Sequence, residues 1–226
     1  MRLNADFSHF ACVTPDQYRW VDSPSAGVER MMLDRIGDEV ARATSLVRYA
    51  PNSQFNRHTH GGGEEILVLE GVFADEHGRY SAGCYLRNPI GTGHTPQIGE
   101  EGALILVKLH QFAENDILQL AVPAHRLPWQ PDRRPGITYK MLHTYGSERV
   151  SLERWEANTV VSYPSLSGGL EIFVLEGAVV ESGTQYPQGS WCRYPPGTAL
   201  KLLAGSNGVQ LYLKRGHLPN VSRLSQ

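Results

Sequence analysis

Cysteine is scarce in this chain. There are three among 226 residues, Cys12, Cys84 and Cys192, an odd number with no pair at CxxC spacing. The pattern signals neither a disulfide framework nor a cysteine-built zinc knuckle. Long hydrophobic runs are missing as well. The most apolar, ILVLEGVF (66–73) and ALILVKL (103–109), fall far short of the roughly 20 residues that a bilayer-spanning helix needs. The opening MRLNADFSHFACV has no apolar segment behind a basic end, so no secretory leader is expected. Charge of one sign is not in excess: 21 Lys and Arg face 23 Asp and Glu, for a net charge of −2, and no basic cluster stands out. That balance argues against nucleic-acid and membrane-surface partners. A cytoplasmic protein is the expectation.

What is present is a repeat. The segment EILVLEG (65–71) recurs as EIFVLEG (171–177), 106 positions later (65 to 171). Gly83 and RNPIG (87–91) recur at the same shift as Gly189 and RYPPG (193–197), and Arg48-Tyr49 as Arg154-Trp155. So many ungapped coincidences mean two copies of one folding unit. Within a copy, short apolar or alternating segments at 46–50, 65–72, 84–87 and 104–109 read as strands. Glycine and proline turns separate them, at Pro51-Asn52, 61–63, His77-Gly78 and 91–93. The expected class is all-β, a sandwich or barrel in each copy. The expected division is an arm over 1–19 and a first barrel over 20–112. A joint over 113–135 follows, with a short helix at 115–122 and four prolines from Pro123 to Pro135, and then a second barrel over 136–226. Exposed strand edges would favour a homodimer.

The chemically informative stretch is HTHGGGE (58–64). Alternate residues of a strand share a face, so His58 and His60 can point into one interior. The three glycines let the backbone turn and bring Glu64 back towards them. His94, directly after the turn PIGTG (89–93), is the fourth candidate. Imidazoles with a carboxylate suit zinc, iron, manganese, cobalt or nickel rather than a cation that wants oxygen alone.

The spacing from His58 to Gly71 (HxH, three residues, Glu, six residues, Gly) resembles the first cupin motif. That from Gly83 to His94 is similar to the second. The resemblance implies two tandem jelly-roll barrels, a bicupin, with His58, His60, Glu64 and His94 as ligands of one divalent metal. An Asn often found four residues past the last His is Ile98 here. RYAP (48–51), HTHGGGEEILVLEGVFADEHGRY (58–80), YLRNPIGTGHTP (85–96) and LVKLHQF (106–112) resemble the cupin half of the ChrR group of zinc anti-sigma factors. That resemblance implies zinc before iron, manganese or nickel, a stress-sensing or regulatory role, and a sigma factor or small molecule as partner. Its alternative is a non-haem dioxygenase acting on a small diketone. The one-histidine, two-cysteine zinc motif of the group's sigma-binding domain is not found before His58.

The second copy serves as a control. At the same shift His58 becomes Pro164, His60 Leu166, Glu64 Leu170 and His94 Leu200. A single His on an apolar strand is more often packing than ligand. Four at motif spacing, all lost together in the copy, are not. Glu65, retained as Glu171, reads as structural rather than as a base. His110, whose counterpart is Gly216, reads as a surface residue, and Cys84, opposite Ser190, as core. His9, His77, His125, His143 and His217 have no partners at ligand spacing and are assigned nothing.

Overall fold

The computed structural model describes residues 1–38 and 40–218. Among them the regular structure is strand, with two single 3-10 turns at Pro15–Gln17 and Ala124–Arg126. No helix among the described residues is long and apolar enough to cross a membrane. The chain divides into two compact units, one of Met1–Ala5 with Arg19–Leu127, the other of Asp6–Tyr18 with the described residues from Pro128 on.

In the first unit the nine-stranded sheet runs Arg2–Leu3, Val28–Gly37, Ala41–Tyr49, Ala103–Leu109, Glu64–Asp75, Cys84–Asn88, Leu120–Pro123. Trp20–Asp22 and Gly78–Ser81 pair onto it from the side, and all of the pairs are antiparallel. Alternate residues on the inner face, among them Val47, Ile66, Val68, Phe73, Leu86, Ile105 and Val107, form one buried cluster. The period-2 pattern of the sequence therefore becomes a half-barrel with an apolar inside.

The second unit repeats this order with Gln130–Pro131, Ile137–Tyr145, Glu148–Trp155, Leu200–Arg215, Leu170–Glu181, Trp191–Tyr194 and Ala11–Val13. The repeat extends to register. Glu64 pairs with Asn88 and Glu65 with Arg87 in the first unit, Leu170 with Tyr194 and Glu171 with Arg193 in the second. Both barrels also share a ladder irregularity, and a positive-φ glycine lies beside each, Gly71 (φ 67°) and Gly177 (φ 75°). A Cβ on either would meet a carbonyl oxygen at 2.2 or 2.3 Å, of Gly102 and Gly208 respectively. Only glycine fits there.

One expectation changes. The segment 115–122 contains no helix: Leu120–Pro123 is a strand paired with Cys84–Asn88. The unpaired edge of that strand supplies ladder partners, and Pro123 cannot continue a helix. The arm over 1–19 contributes strands. Arg2–Leu3 pairs with Val28–Gly37 and Ala11–Val13 with Trp191–Tyr194. Each sheet is thus completed by an edge strand outside the segments 20–112 and 136–226.

Replacing Gly71 by Ala should destabilise the protein by about 2 kcal/mol, through left-handed strain and the carbonyl clash. The melting temperature should fall by roughly 5 °C. An unchanged transition would contradict the backbone geometry at this bend.

Candidate metal centre

His58 and His94 are placed by a two-stranded ribbon of two residues a side, His58–Thr59 against Gly93–His94, in which they are direct partners. The ribbon closes tightly because residue 93 is glycine; a Cβ there would lie 2.5 Å from the His58 carbonyl oxygen. His60 follows, anchored by its N–H to Thr92 O at 2.8 Å and by Gly91 N–H to its own carbonyl at 3.0 Å. Glu64 opens the long strand Glu64–Asp75, facing Asn88 on one neighbour and Leu109 on the other. The structure brings all four candidates together. One ligand atom from each of His58, His60, Glu64 and His94 lies within 4.8 Å of every other. The three imidazoles stand nearly at right angles, with centroids 4.8–5.1 Å apart.

The hydrogen bonds fix which nitrogen faces inward. His58 Nδ1 donates to Asn56 O at 3.0 Å, and His94 Nδ1 to Asp75 Oδ2 at 2.9 Å. His60 Nδ1 lies 2.9 Å from Thr92 Oγ1, whose own hydrogen is committed to Pro89 O at 2.7 Å. Thr92 therefore accepts, and His60 too carries its proton on Nδ1. All three Nε2 lone pairs are left to face Glu64, which also accepts from Asn88 Nδ2 at 3.0 Å. Such outer partners orient metal-binding histidines and raise their basicity.

The cluster fits a cation by a direct test. His60 Nε2 and His94 Nε2 are buried and have no hydrogen-bond partner among the described residues. Each lies against Glu64 Oε2, at 3.1 and 3.4 Å. With their protons on Nδ1, these are acceptors aimed at an acceptor, an arrangement that a positive charge between them relieves. Electrostatics agree. Positive charge at this point favours the carboxylate: burial alone would push the Glu64 carboxyl up, but the three histidines, in their protonated form, outweigh it and hold it far below the usual carboxylate range. For His58, burial opposes the charged form, yet Glu64 and the Asn56 carbonyl outweigh that and raise its pKa. Asp75 is pulled below its usual range against burial by His94 and the His77 N–H.

Around the cluster the wall is aromatic: Phe55 lies 5.3 Å from His58 and Phe73 5.7 Å from His94, with Tyr80 stacked on Phe73. Ile98, where an Asn is common, is 5% exposed and part of the apolar core. Of the four, only His58 is substantially open, its side chain 31% exposed against 2–7% for the other three.

The sequence matches the family model of the ChrR cupin-like domain twice, over residues 8–113 and 119–219. The chain belongs to the ChrR cupin-like family. No curated protein is similar enough in sequence to count as a relative. Among solved structures, a proposed dioxygenase from Nostoc punctiforme superposes with a TM-score of 0.76 at 16% identity, covering 95% of this chain and 85% of that one. The Escherichia coli pirin YhhW in complex with nickel(II) gives 0.69 at 14%, covering 94% and 100%. A mutant salicylate 1,2-dioxygenase from Pseudoaminobacter salicylatoxidans gives 0.60 at 14%, covering 89% and 77%. At such identities the likeness establishes the cupin fold, twice over.

The second cupin barrel keeps the cradle and discards the ligands. Leu166 N–H bonds Thr198 O at 2.9 Å and Gly197 N–H bonds Leu166 O at 2.9 Å, the same bonds that hold His60. Leu166, Leu170 and Leu200, at the ligand positions, are buried in the core. The charge moves to another wall. Val47 and Leu109, apolar residues in or against the core of the first barrel, become Glu153 and Arg215 at the same shift, and Arg134 joins them. Arg134 lies 3.2 Å from Glu153 and Arg215 3.7 Å from it.

Asp75, Asn88 and Thr92 were not found from the sequence. One signal was available: Asn88 becomes Tyr194 in the copy without ligands. Glu65 is a buried partner of Arg87 at 3.3 Å, as its retention in both copies implied. His110 packs against the Gly62 turn and is not a ligand. Thr92→Val should weaken metal affinity 10- to 100-fold by freeing the His60 ring, with the melting curve of the metal-free protein unchanged. Chelator competition measures it, and unaltered affinity would contradict the assigned role of Thr92.

Proposed function

We propose that the first barrel holds one divalent transition metal through His58, His60, Glu64 and His94, and that this centre makes the chain a metal-dependent sensing module of ChrR type, with zinc as the resident ion. The observation that carries the reading is the pair of buried, partnerless Nε2 atoms turned towards Glu64. When bound, the ion supplies Lewis acidity and, with four protein ligands in a tetrahedral shell, a closed structural centre. The residues supply the response. His58 and His94 sit on a ribbon of only two residues a side, and His58 is the ligand that solvent reaches. Losing the ion would return three lone pairs and a carboxylate to mutual repulsion, which so short a ribbon cannot resist. A regulatory protein of the sigma-factor class, or a second copy of the chain, would read the change.

A second reading is a dioxygenase acting on a small diketone. It is favoured by the exposed edge at His58 and by fold neighbours described as dioxygenases. In that case the aromatic wall of Phe55, Phe73 and Tyr80 would exclude water and pack the substrate's carbon skeleton.

Metal analysis of the untagged full chain, with His94→Ala beside it, tests both. The sensing reading predicts near-stoichiometric zinc, lost in the variant, and no oxygen uptake with small 1,3-diketones. Iron at one per chain with diketone-dependent oxygen uptake would replace it by the enzyme reading. Metal retained undiminished by His94→Ala would overturn the ligand set itself.

A further inference from the structure

Cys12 and Cys192 stand 180 residues apart in the sequence, yet they are direct cross-strand partners in the second barrel. Their Sγ atoms are 3.2 Å apart, with the Cys192 thiol donating to Cys12. We infer that Cys12 and Cys192 form a reversible disulfide that fastens the strand Ala11–Val13 to the strand Trp191–Tyr194 when the protein meets a hydroperoxide. This does not depend on the metal centre, whose four residues belong to the other unit.

Geometry carries the inference. Directly opposed residues of an antiparallel pair have Cα atoms about 4.5 or 5.5 Å apart, depending on the hydrogen-bonding site. Both values fall inside the roughly 4.4–6.8 Å that a disulfide spans. Closing 3.2 Å to the ~2.05 Å of an S–S bond takes about an ångström of side-chain motion and no change of register. The flanking contacts hold the strand in place meanwhile. Phe10 packs on Tyr194 with centroids 4.9 Å apart, Tyr18 donates its hydroxyl to Gly189 O, and Arg193 donates to Asp6 O at 3.1 Å.

The two thiols differ in a way that orders the chemistry. Cys12 is half-buried, and the hydrogen bond it accepts from Cys192 lowers its pKa against the opposing effects of burial, Asp16 and Glu181. Cys192 is fully buried; donating to Cys12 and burial both push its thiol up. A thiolate, rather than a thiol, is the nucleophile. Cys12 therefore attacks the peroxide O–O bond, gaining one oxygen as a sulfenic acid while the hydroperoxide leaves as an alcohol, or as water from hydrogen peroxide. The Cys192 thiol then displaces that oxygen as water and the S–S bond forms. Two thiols lose two electrons in all, and the peroxide gains them. Cys84 lies in the other unit, and its thiol is pushed up chiefly by burial.

The test is to treat the reduced full chain with a modest excess of hydrogen peroxide, denature it and count the free thiols. The count should fall from three to one, and non-reducing peptide mass spectrometry should find the 12–192 linkage with Cys84 unlinked. Dithiothreitol should restore three. In Cys192→Ser the reaction should stop at a sulfenic acid on Cys12 that dimedone traps, whereas the parent protein gives little adduct. His94→Ala should oxidise like the parent, which separates failure here from failure of the metal reading. Three thiols persisting under peroxide, or a bridge involving Cys84 or a second chain, would overturn the inference.

Discussion

Buried acceptors do not remain 3.1 Å apart without positive charge between them. The first barrel is organised around that constraint at His60 and Glu64. Thr92, Asp75 and the Asn56 carbonyl each take an Nδ1 proton, so the lone pair of every imidazole is turned inward. The ribbon, the glycine turn and the start of the long strand exist where they do because four side chains have to converge. What the geometry assembles is a set of four donors suited to a cation rather than a packed core.

The second barrel shows how much of the fold is independent of that ion. The strand order, the bend at Gly177 and the backbone cradle of Leu166 all persist. With leucines in place of ligands, the cavity end closes by apolar burial, and charge is relocated to Arg134, Glu153 and Arg215. The Arg–Glu contacts let Glu153 stay buried, since a buried carboxylate needs a partner. The candidate metal cluster is thus an addition to a framework that the second barrel builds without it.

Most of this was legible from residues alone because both of its signals are periodic. Alternation marked the strands, and the 106-residue shift paired 48–49, 65–71, 83 and 87–91 with their copies. The clustering of His58, His60, Glu64 and His94 was legible because the copy erased all four positions at once. Three features were not. The strand at Leu120–Pro123 looked helical because its apolar residues do not alternate with polar ones, and the edge it completes is specified by a distant segment. The partners Asp75 and Thr92 are recognised by hydrogen-bond geometry, which no spacing reveals. The pairing of Cys12 with Cys192 was hidden because the strand Ala11–Val13 adds to the second sheet, so nearness in space had no counterpart in sequence.

The central claim is that one ion sits among three imidazoles and one carboxylate in the first barrel only. X-ray absorption at the metal edge, recorded while the stripped full chain is titrated with zinc, tests it most directly. The account predicts saturation at one equivalent, with a shell of nitrogen and oxygen scatterers and the outer-shell pattern of three imidazoles. Sulfur in the shell, or a second equivalent bound with the same affinity, would contradict it.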